Sequence, residues 1–394
     1  MKKSLSLIIG IFLLISSTAA WSQQAAEQDT TYRFDHGPYL QTMTPQSVYV
    51  YFTTSRKGFS WVDLRPAGTV EWTRCVTIDD GLIEANNTKN AIQLKNLQPN
   101  TEYEYRLSSV PINQFRLSNN IYGDTIRTPW YTFKTNNPLA TECTFITACD
   151  IHDDAERYKR MLSYIPFAKV DIAFLLGDIL SHFSHVGQPY KSFIDVSVDA
   201  FAKEKPFALV RGNHDTRGQL ARTYPEYIHK PGGHFYTTFQ LGDTFFVLFD
   251  TGEDKDDSHF DYSGITAFEA YRTEQLEWFK EVMQTDAYKK AKHRIILGHI
   301  PPMPRGESTR ASVHAGDVLY RTYLPVLNEA NVDLMICGHT HRHTVHEPTA
   351  NSAHNFPILI NGSNCISLVT VNAEGIHVKT TNDSGEVTLD KIWQ

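Results

Sequence analysis

Residues able to bind a divalent metal recur in five short blocks from residue 150 onward. They are Asp150-Ile151-His152, Gly177-Asp178, Gly212-Asn213-His214-Asp215, Gly298-His299 and Gly338-His339-Thr340-His341. Each block begins where an apolar run stops: Thr144–Ala148, Ile172–Leu176, Phe207–Val210, Ile295–Leu297 and Leu334–Cys337. Such runs read as buried strands, so the polar groups fall at strand ends and in the loops that follow. The carboxyl ends of neighbouring strands can bring groups distant in sequence into one crevice. A lone Asp, Asn or His at a strand end is ordinarily a cap or turn residue. Seven ligand-type residues in this ordered arrangement point instead to a metal pair. Two divalent ions about 3.5–4 Å apart acidify a bound water and clamp the oxygens of an in-line displacement, so the expected chemistry is hydrolysis of a phosphate ester. That pair calls for hard oxygen ligands, neutral imidazoles and one carboxylate able to bridge.

The elements that must hold these blocks are legible in outline. From Asn136-Asn137-Pro138, a short linker, strands alternate with helical patterns, which implies a layered α/β domain over 140–394. Helices are expected over Asp154–Tyr164, Thr266–Met283 and Asp317–Ala330, with Pro325 kinking or shortening the last. The tail reads as strands Phe356–Ile360, Cys365–Asn372, Gly375–Thr381 and Glu386–Lys391, which should complete the sheets of the same domain. Before the linker, 31–135 reads as an all-β sandwich. Its β-branched and aromatic runs Ser47–Phe52, Ser60–Leu64, Tyr103–Leu107 and Trp130–Thr135 are separated by Gly, Pro and Asn clusters.

The 394 residues carry a net charge of -7, which leaves no basic surplus for a nucleic-acid backbone as a standing partner. Anionic small substrates remain compatible, because bound cations reverse the local field. Lys2-Lys3 followed by apolar Leu5–Ile15 reads as an export signal over 1–22, with cleavage after Ala20 or Ser22. An uncleaved anchor is the alternative; no later stretch is apolar enough for a membrane helix. A periplasmic or secreted, bacterial protein is expected. The five cysteines have irregular spacing and no Cys-x-x-Cys pair, so neither a disulfide framework nor a thiolate zinc site is expected.

From Ala140 onward the ordered blocks resemble the calcineurin-like metallophosphoesterase superfamily. The resemblance implies that Asp150, His152, Asp178 and His341 hold one metal, and that Asp178, Asn213, His299 and His339 hold the other, with Asp178 bridging. It also implies a hydroxide held between the ions as nucleophile. Asn213 and His214 would face the substrate, His214 stabilising the transition state or protonating the leaving oxygen and Asp215 orienting its ring. Leu97–Tyr105 resembles the loop-into-strand segment of fibronectin type III domains, with Tyr103 packing the corner. A fibronectin-like sandwich before such a catalytic domain is similar to the purple acid phosphatases. Those enzymes carry a tyrosinate three residues after the bridging aspartate, where this chain has Ser181, and lack the histidine found here at position 152. Two protein carboxylates then suit two divalent ions (Mn, Zn or Fe), without purple colour and with an optimum nearer neutral pH.

Several residues near the blocks have two readings. His182 and His185 could line the pocket or be bonded locally. His343 suits support of the ligands better than ligation. Arg211 could meet phosphate or make a structural ion pair. The charged stretch Glu253–His259 reads as a solvated loop ahead of a substrate rim. Glycines 177, 212, 298 and 338 suit tight turns beside bulky ligands. The function expected is a secreted phosphoesterase of small phosphorylated substrates, monoesters slightly ahead. A phosphodiesterase acting on nucleotides or lipid headgroups is the nearest alternative. A surface binding protein without activity is the other, disfavoured because every ligand position is intact.

Overall fold

In the computed structural model, which describes residues 31–303 and 314–394, the aromatic and β-branched alternation of the N-terminal part forms strands throughout. The expected export signal at 1–22 lies outside the described residues. Strands β1 (Tyr39–Gln41), β2 (Val48–Pro66), β3 (Thr73–Cys75), β4 (Asn87–Leu94), β5 (Glu102–Gln114) and β6 (Tyr131–Lys134) build this part. The runs Ser47–Phe52 and Ser60–Leu64, expected as two strands, are one: β2. Its first half pairs with β1 and β4, and its second half pairs with β3 and β5, the register shifting between Thr53 and Gly58. β6 closes onto β5. Val50 of the first half and Ile92 of β4 share one buried cluster with Val62 of the second half and Leu107 of β5. β4 is absent from the sequence reading because Asn87-Thr88-Lys89-Asn90 opens it with polar residues. The Gln98 N–H donates to Tyr103 Oη at 2.8 Å, tying the entering loop to β5.

The remainder is four layers, helix on sheet on sheet on helix. One sheet has the order β9-β8-β7-β16-β17-β18, from β7 (Cys143–Ala148), β8 (Ile172–Leu176), β9 (Phe207–Val210), β16 (Cys365–Asn372), β17 (Gly375–Asn382) and β18 (Val387–Trp393). The other has the order β10-β11-β12-β13-β15-β14. Its members are β10 (Thr237–Leu241), β11 (Thr244–Leu248), β12 (His293–Leu297), β13 (Leu334–Cys337), β14 (Thr344–His346) and β15 (Ile358–Ile360). The tail thus serves both sheets. Strands β7, β8 and β9 run parallel, as do β11, β12, β13 and β15, so their carboxyl ends share an edge within each sheet. Between the sheets Phe145, Phe174, Leu176, Phe246, Leu248 and Ile336 are fully buried or nearly so. At about 25 cal/mol per Å2 of apolar surface removed from water, this inner layer is a main source of stability.

Helix α1 (Ala155–Leu162) covers the first sheet through Tyr158, Met161 and Leu162, and begins where Asp154 accepts the N–H of Arg157. Helices α2 (Phe268–Val282) and α3 (His314–Glu329) cover the second sheet through Phe279, Leu319 and Tyr323. α3 continues past Pro325 to Glu329, so the proline does not shorten it. Proline removes one backbone bond, and buried Tyr323, Leu324 and Leu327 hold the turn around it.

The N-terminal strands are docked onto the layered part. Tyr39 Oη donates to the Tyr227 carbonyl at 3.0 Å and Tyr105 Oη to the Lys203 carbonyl at 2.7 Å. Tyr39 and Tyr51 belong to the same buried cluster as Phe207. Tyr32–Gln394 accordingly forms one compact unit. All five cysteines are unpaired, Cys143, Cys149 and Cys337 being buried.

Candidate metal centre

The blocks that end β7, β8, β9, β12 and β13 meet. Ligand atoms of Asp150, His152, Asp178 and His341 lie within 4.8 Å of one another, and so do those of Asp178, His299 and His339. Asp178 belongs to both groups. Its Oδ2 is 3.2 Å from His299 Nε2 on one side and 3.8 Å from His152 Nε2 on the other. Asn213 joins through its Oδ1, 3.0 Å from His339 Nδ1. The site is graded in depth: Asp150 and His299 are wholly buried, whereas the His341 side chain is 51% exposed at the mouth.

Backbone strain is concentrated here. Asp150, His152, Asp178, His339 and His341 have φ of 52°, 48°, 51°, 71° and 61°. Such conformations cost roughly 1–3 kcal/mol each and persist only where the surroundings enforce them. Hydrogen bonds do so. Asp150 N donates to the Gly177 carbonyl (2.9 Å) and His152 N to the Asp178 carbonyl (3.0 Å). His339 N donates to Asp150 Oδ2 (2.9 Å) and His214 N to Asp178 Oδ1 (2.8 Å). Gly212 is required by close approach, since a Cβ there would stand 2.2 Å from Asp178 Oδ1. Gly298 is not: its nearest neighbours to a Cβ, Met335 and Thr251, are 3.7 Å away, so the reading of this glycine as a tight turn is corrected.

The donor set fits divalent cations. Asp150 Oδ1 and His299 Nε2 are buried and make no hydrogen bond; each has only an ion-pair neighbour, His341 Nε2 at 3.3 Å and Asp178 Oδ2 at 3.2 Å, which are themselves candidate ligands that a cation would engage. His152 Nε2 and His341 Nε2 face each other at 3.1 Å. Burial pushes His152 down to about 4, so it is neutral and able to ligate at pH 7. Burial also acts to lower His299, but the Asp178 and Asp150 carboxylates outweigh it and push it up to about 10. Burial would raise Asp178; His299 and His214 hold it well below the usual carboxylate range instead.

His214 and Asp215 depart from expectation. Asp215 does not orient the His214 ring. Its fully buried carboxylate accepts the N–H groups of Gly212 (2.9 Å) and Leu180 (3.1 Å) and the hydroxyl of Tyr224 (3.3 Å), clamping the β8 and β9 loops together. Burial, followed by the nearby charge of Asp178, pushes Asp215 up to about 7. The His214 ring is fixed by the Ser181 carbonyl, 2.7 Å from Nδ1, and its Nε2 lies 3.2 Å from Arg217 Nη1. A carbonyl can only accept and a guanidinium only donate, so Nδ1 carries the proton and Nε2 accepts. Ser181, at the position of the purple-phosphatase tyrosine, thus contributes its backbone.

Other nearby residues resolve as follows. His182 is exposed, and no described contact joins its ring to the cluster. Arg211 is paired with buried Asp250 and lies 4.0 Å over the Phe235 ring. The stretch from Glu253 is not a solvated loop at its start: Glu253 and Asp254 are 1% and 6% exposed. Both grip Arg217, which the sequence reading missed. Two signals were available. Arg217 follows His214 by three residues, and the polar block after β11 marks a sixth strand end of the same kind.

The sequence profile of the calcineurin-like phosphoesterase family matches residues 145–343, half of the chain. The chain belongs to the calcineurin-like phosphoesterase family. It is a metal-dependent phosphoric ester hydrolase. Among solved structures, the calcineurin-like fold here is similar to a purple acid phosphatase, PPD1, from yellow lupin (Lupinus luteus) seeds. That match has a TM-score of 0.65 and 14% identity, covering 90% of this chain and 73% of that one. It is also similar to PhoD, with a TM-score of 0.60 and 13% identity over 90% of this chain and 92% of PhoD. No curated protein matches at the sequence level. Among the described residues, no helix is long and apolar enough to cross a membrane.

Proposed function

We propose that this hydrolase is an exported two-metal phosphoesterase that acts on small phosphate monoesters in preference to diesters. Asp150, His152, Asp178 and His341 hold one divalent ion, and Asp178, Asn213, His299 and His339 hold the other. The observation that carries this reading is the meeting of the two donor groups at Asp178, with Asp150 Oδ1 and His299 Nε2 buried and making no hydrogen bond. When bound, two divalent ions supply a nucleophile stronger than bulk water and positive charge for the phosphoryl oxygens. Two carboxylates and neutral imidazoles suit Mn, Zn or ferrous iron without a ferric partner.

The chain's own groups do the rest. Asp178 is held by the His214 N–H so that its second oxygen lies between His152 and His299. Nε2 of His214 accepts from Arg217 and Nδ1 donates to Ser181, which leaves no N–H to deliver to a leaving oxygen. His214 therefore orients the Arg217 guanidinium beside the phosphoryl site rather than acting as the acid. Asp215 fixes the loops that present Asn213 and Asp178. The strand pairing of the N-terminal part and the Tyr103 corner support a fibronectin type III-like domain over 31–135, ahead of a catalytic domain over 140–394. The export signal at 1–22 supports a periplasmic or secreted location.

Monoester preference is supported by the fold shared with a purple acid phosphatase over most of the chain. The test compares p-nitrophenyl phosphate with its bis-ester on manganese-reconstituted protein, with Asp178→Asn as control. Faster, control-sensitive turnover of the monoester is expected. Diester preference would redirect the reading to nucleotides or lipid headgroups, and no control-sensitive activity would bring a binding role forward.

A further inference from the structure

Arg217 leaves the short turn His214–Thr216 that follows the β9 ligand block, and its guanidinium is fixed on one edge. Nε lies 3.0 and 3.2 Å from the two Glu253 oxygens, and Nη2 lies 2.7 Å from Glu253 Oε2 and 2.8 Å from Asp254 Oδ1. The carboxylates are fixed in turn. Thr216 Oγ1 donates to Glu253 Oε1 at 3.0 Å, Tyr262 Oη to Glu253 Oε2 at 2.7 Å, and Lys255 Nζ to Asp254 Oδ1 at 2.9 Å. Glu253 and Asp254 are buried, so this frame is built into the protein.

The remaining edge, at Nη1, adjoins His214. Nη1 has two N–H groups. One is directed at His214 Nε2, 3.2 Å away, and among the described residues the other has no hydrogen-bond partner. The His214 ring lies 4.8 Å from the His152 ring, so the open edge borders the first donor group. The Arg217 side chain is 25% exposed, whereas the carboxylates on its other edge are buried. A guanidinium held in this way loses little freedom on binding an anion, and its planar fork matches phosphoryl oxygens.

We propose that Arg217 is a substrate-binding residue whose Nη1 edge donates to a non-bridging phosphoryl oxygen, favouring the doubly charged phosphate of a monoester over the singly charged diester. The inference rests on the two-metal reading above and deepens it. Arg211 cannot serve in its place, because Asp250 and Phe235 occupy it.

The test uses the manganese-loaded full chain and inorganic phosphate as probe, read by calorimetry alongside metal content. Loss of a charge-assisted hydrogen bond should weaken phosphate binding by about tenfold or more in Arg217→Gln, with the metal content of wild type. KM for p-nitrophenyl phosphate should rise more than KM for the bis-ester. Arg217→Lys keeps the positive charge beside Glu253 and Asp254 but lacks the fork, and its affinity should fall between those of wild type and Arg217→Gln. Wild-type phosphate affinity in either soluble variant would overturn the proposal, as would a weakening that merely tracks lost metal. Failure of wild type to hydrolyse either ester would instead sink the underlying reading. An active wild type whose variants keep phosphate affinity would sink the Arg217 role alone.

Discussion

The backbone N–H of His339 donates to Asp150 Oδ2 at 2.9 Å, while Oδ1 of the same carboxylate is buried, makes no hydrogen bond and lies 3.3 Å from His341 Nε2. One oxygen therefore fixes the β13 loop to the β7 loop, and the other remains for a cation. Asp150→Asn should lose metal at the first group and retain it at the second. Metal analysis of the purified variant should give about half the wild-type content, and turnover should fall by about a thousandfold or more, the several kcal/mol that metal charge contributes.

His299 makes metal loading pH-dependent. Its imidazole, pushed up to about 10 by Asp178 and Asp150 against the effect of burial, is protonated in the metal-free protein at neutral pH. A cation must displace that proton. Loading at pH 7 should release a proton, and apparent affinity should rise about tenfold per pH unit below the His299 value. Without metal, the raised value stabilises the fold fully below the unfolded histidine pKa of about 6.5, and this contribution is lost as pH rises through about 10. Titration calorimetry in buffers of different ionisation heat checks the release. Heats that do not vary with buffer would refute it.

Asp215→Asn should act on stability and on metal retention more than on chemistry. The amide presents one oxygen where the carboxylate met the Gly212 and Leu180 N–H groups and Tyr224. Urea unfolding should show a loss of about 1–3 kcal/mol. Unchanged stability with a lowered kcat would restore the expected role of Asp215 in orienting His214.

His214→Ala should retain both metals and lower turnover equally for good and poor leaving groups, since Nε2 has no proton to transfer in the observed arrangement. A leaving-group series of aryl phosphates measures this. A loss that steepens with leaving-group basicity would reinstate His214 as the acid.

Tyr39 couples the N-terminal strands to the layered part through its ring, stacked 5.7 Å from Phe207, and its bond to Tyr227. Tyr39→Ala should cost about 3–5 kcal/mol, as truncation of a large buried aromatic does. The wild-type chain should unfold in a single calorimetric transition, and two resolved transitions would show that the docking does not couple the parts.

How much was legible divides along physical lines. Apolar runs ending in Asp178, Asn213 or His299 reveal strands and ligand types, because burial and donor chemistry are properties of local sequence. Helices α1 and α2 follow from the same local periodicity. Strand β4 was hidden by its polar start, and the continuity of β2 was hidden by the polar Arg56-Lys57-Gly58 between its two apolar runs.

The sequence by itself determined the chemistry available: seven oxygen and imidazole donors, placed at strand ends, suited to divalent metals. Only the tertiary structure decided how they are used. It set Asp178 between two groups, gave Asp215 to backbone amides, and brought Glu253 and Asp254 to Arg217, 36 and 37 residues away. Those relations depend on strand order and loop geometry, which are fixed by packing across both sheets and cannot be read from neighbours along the chain.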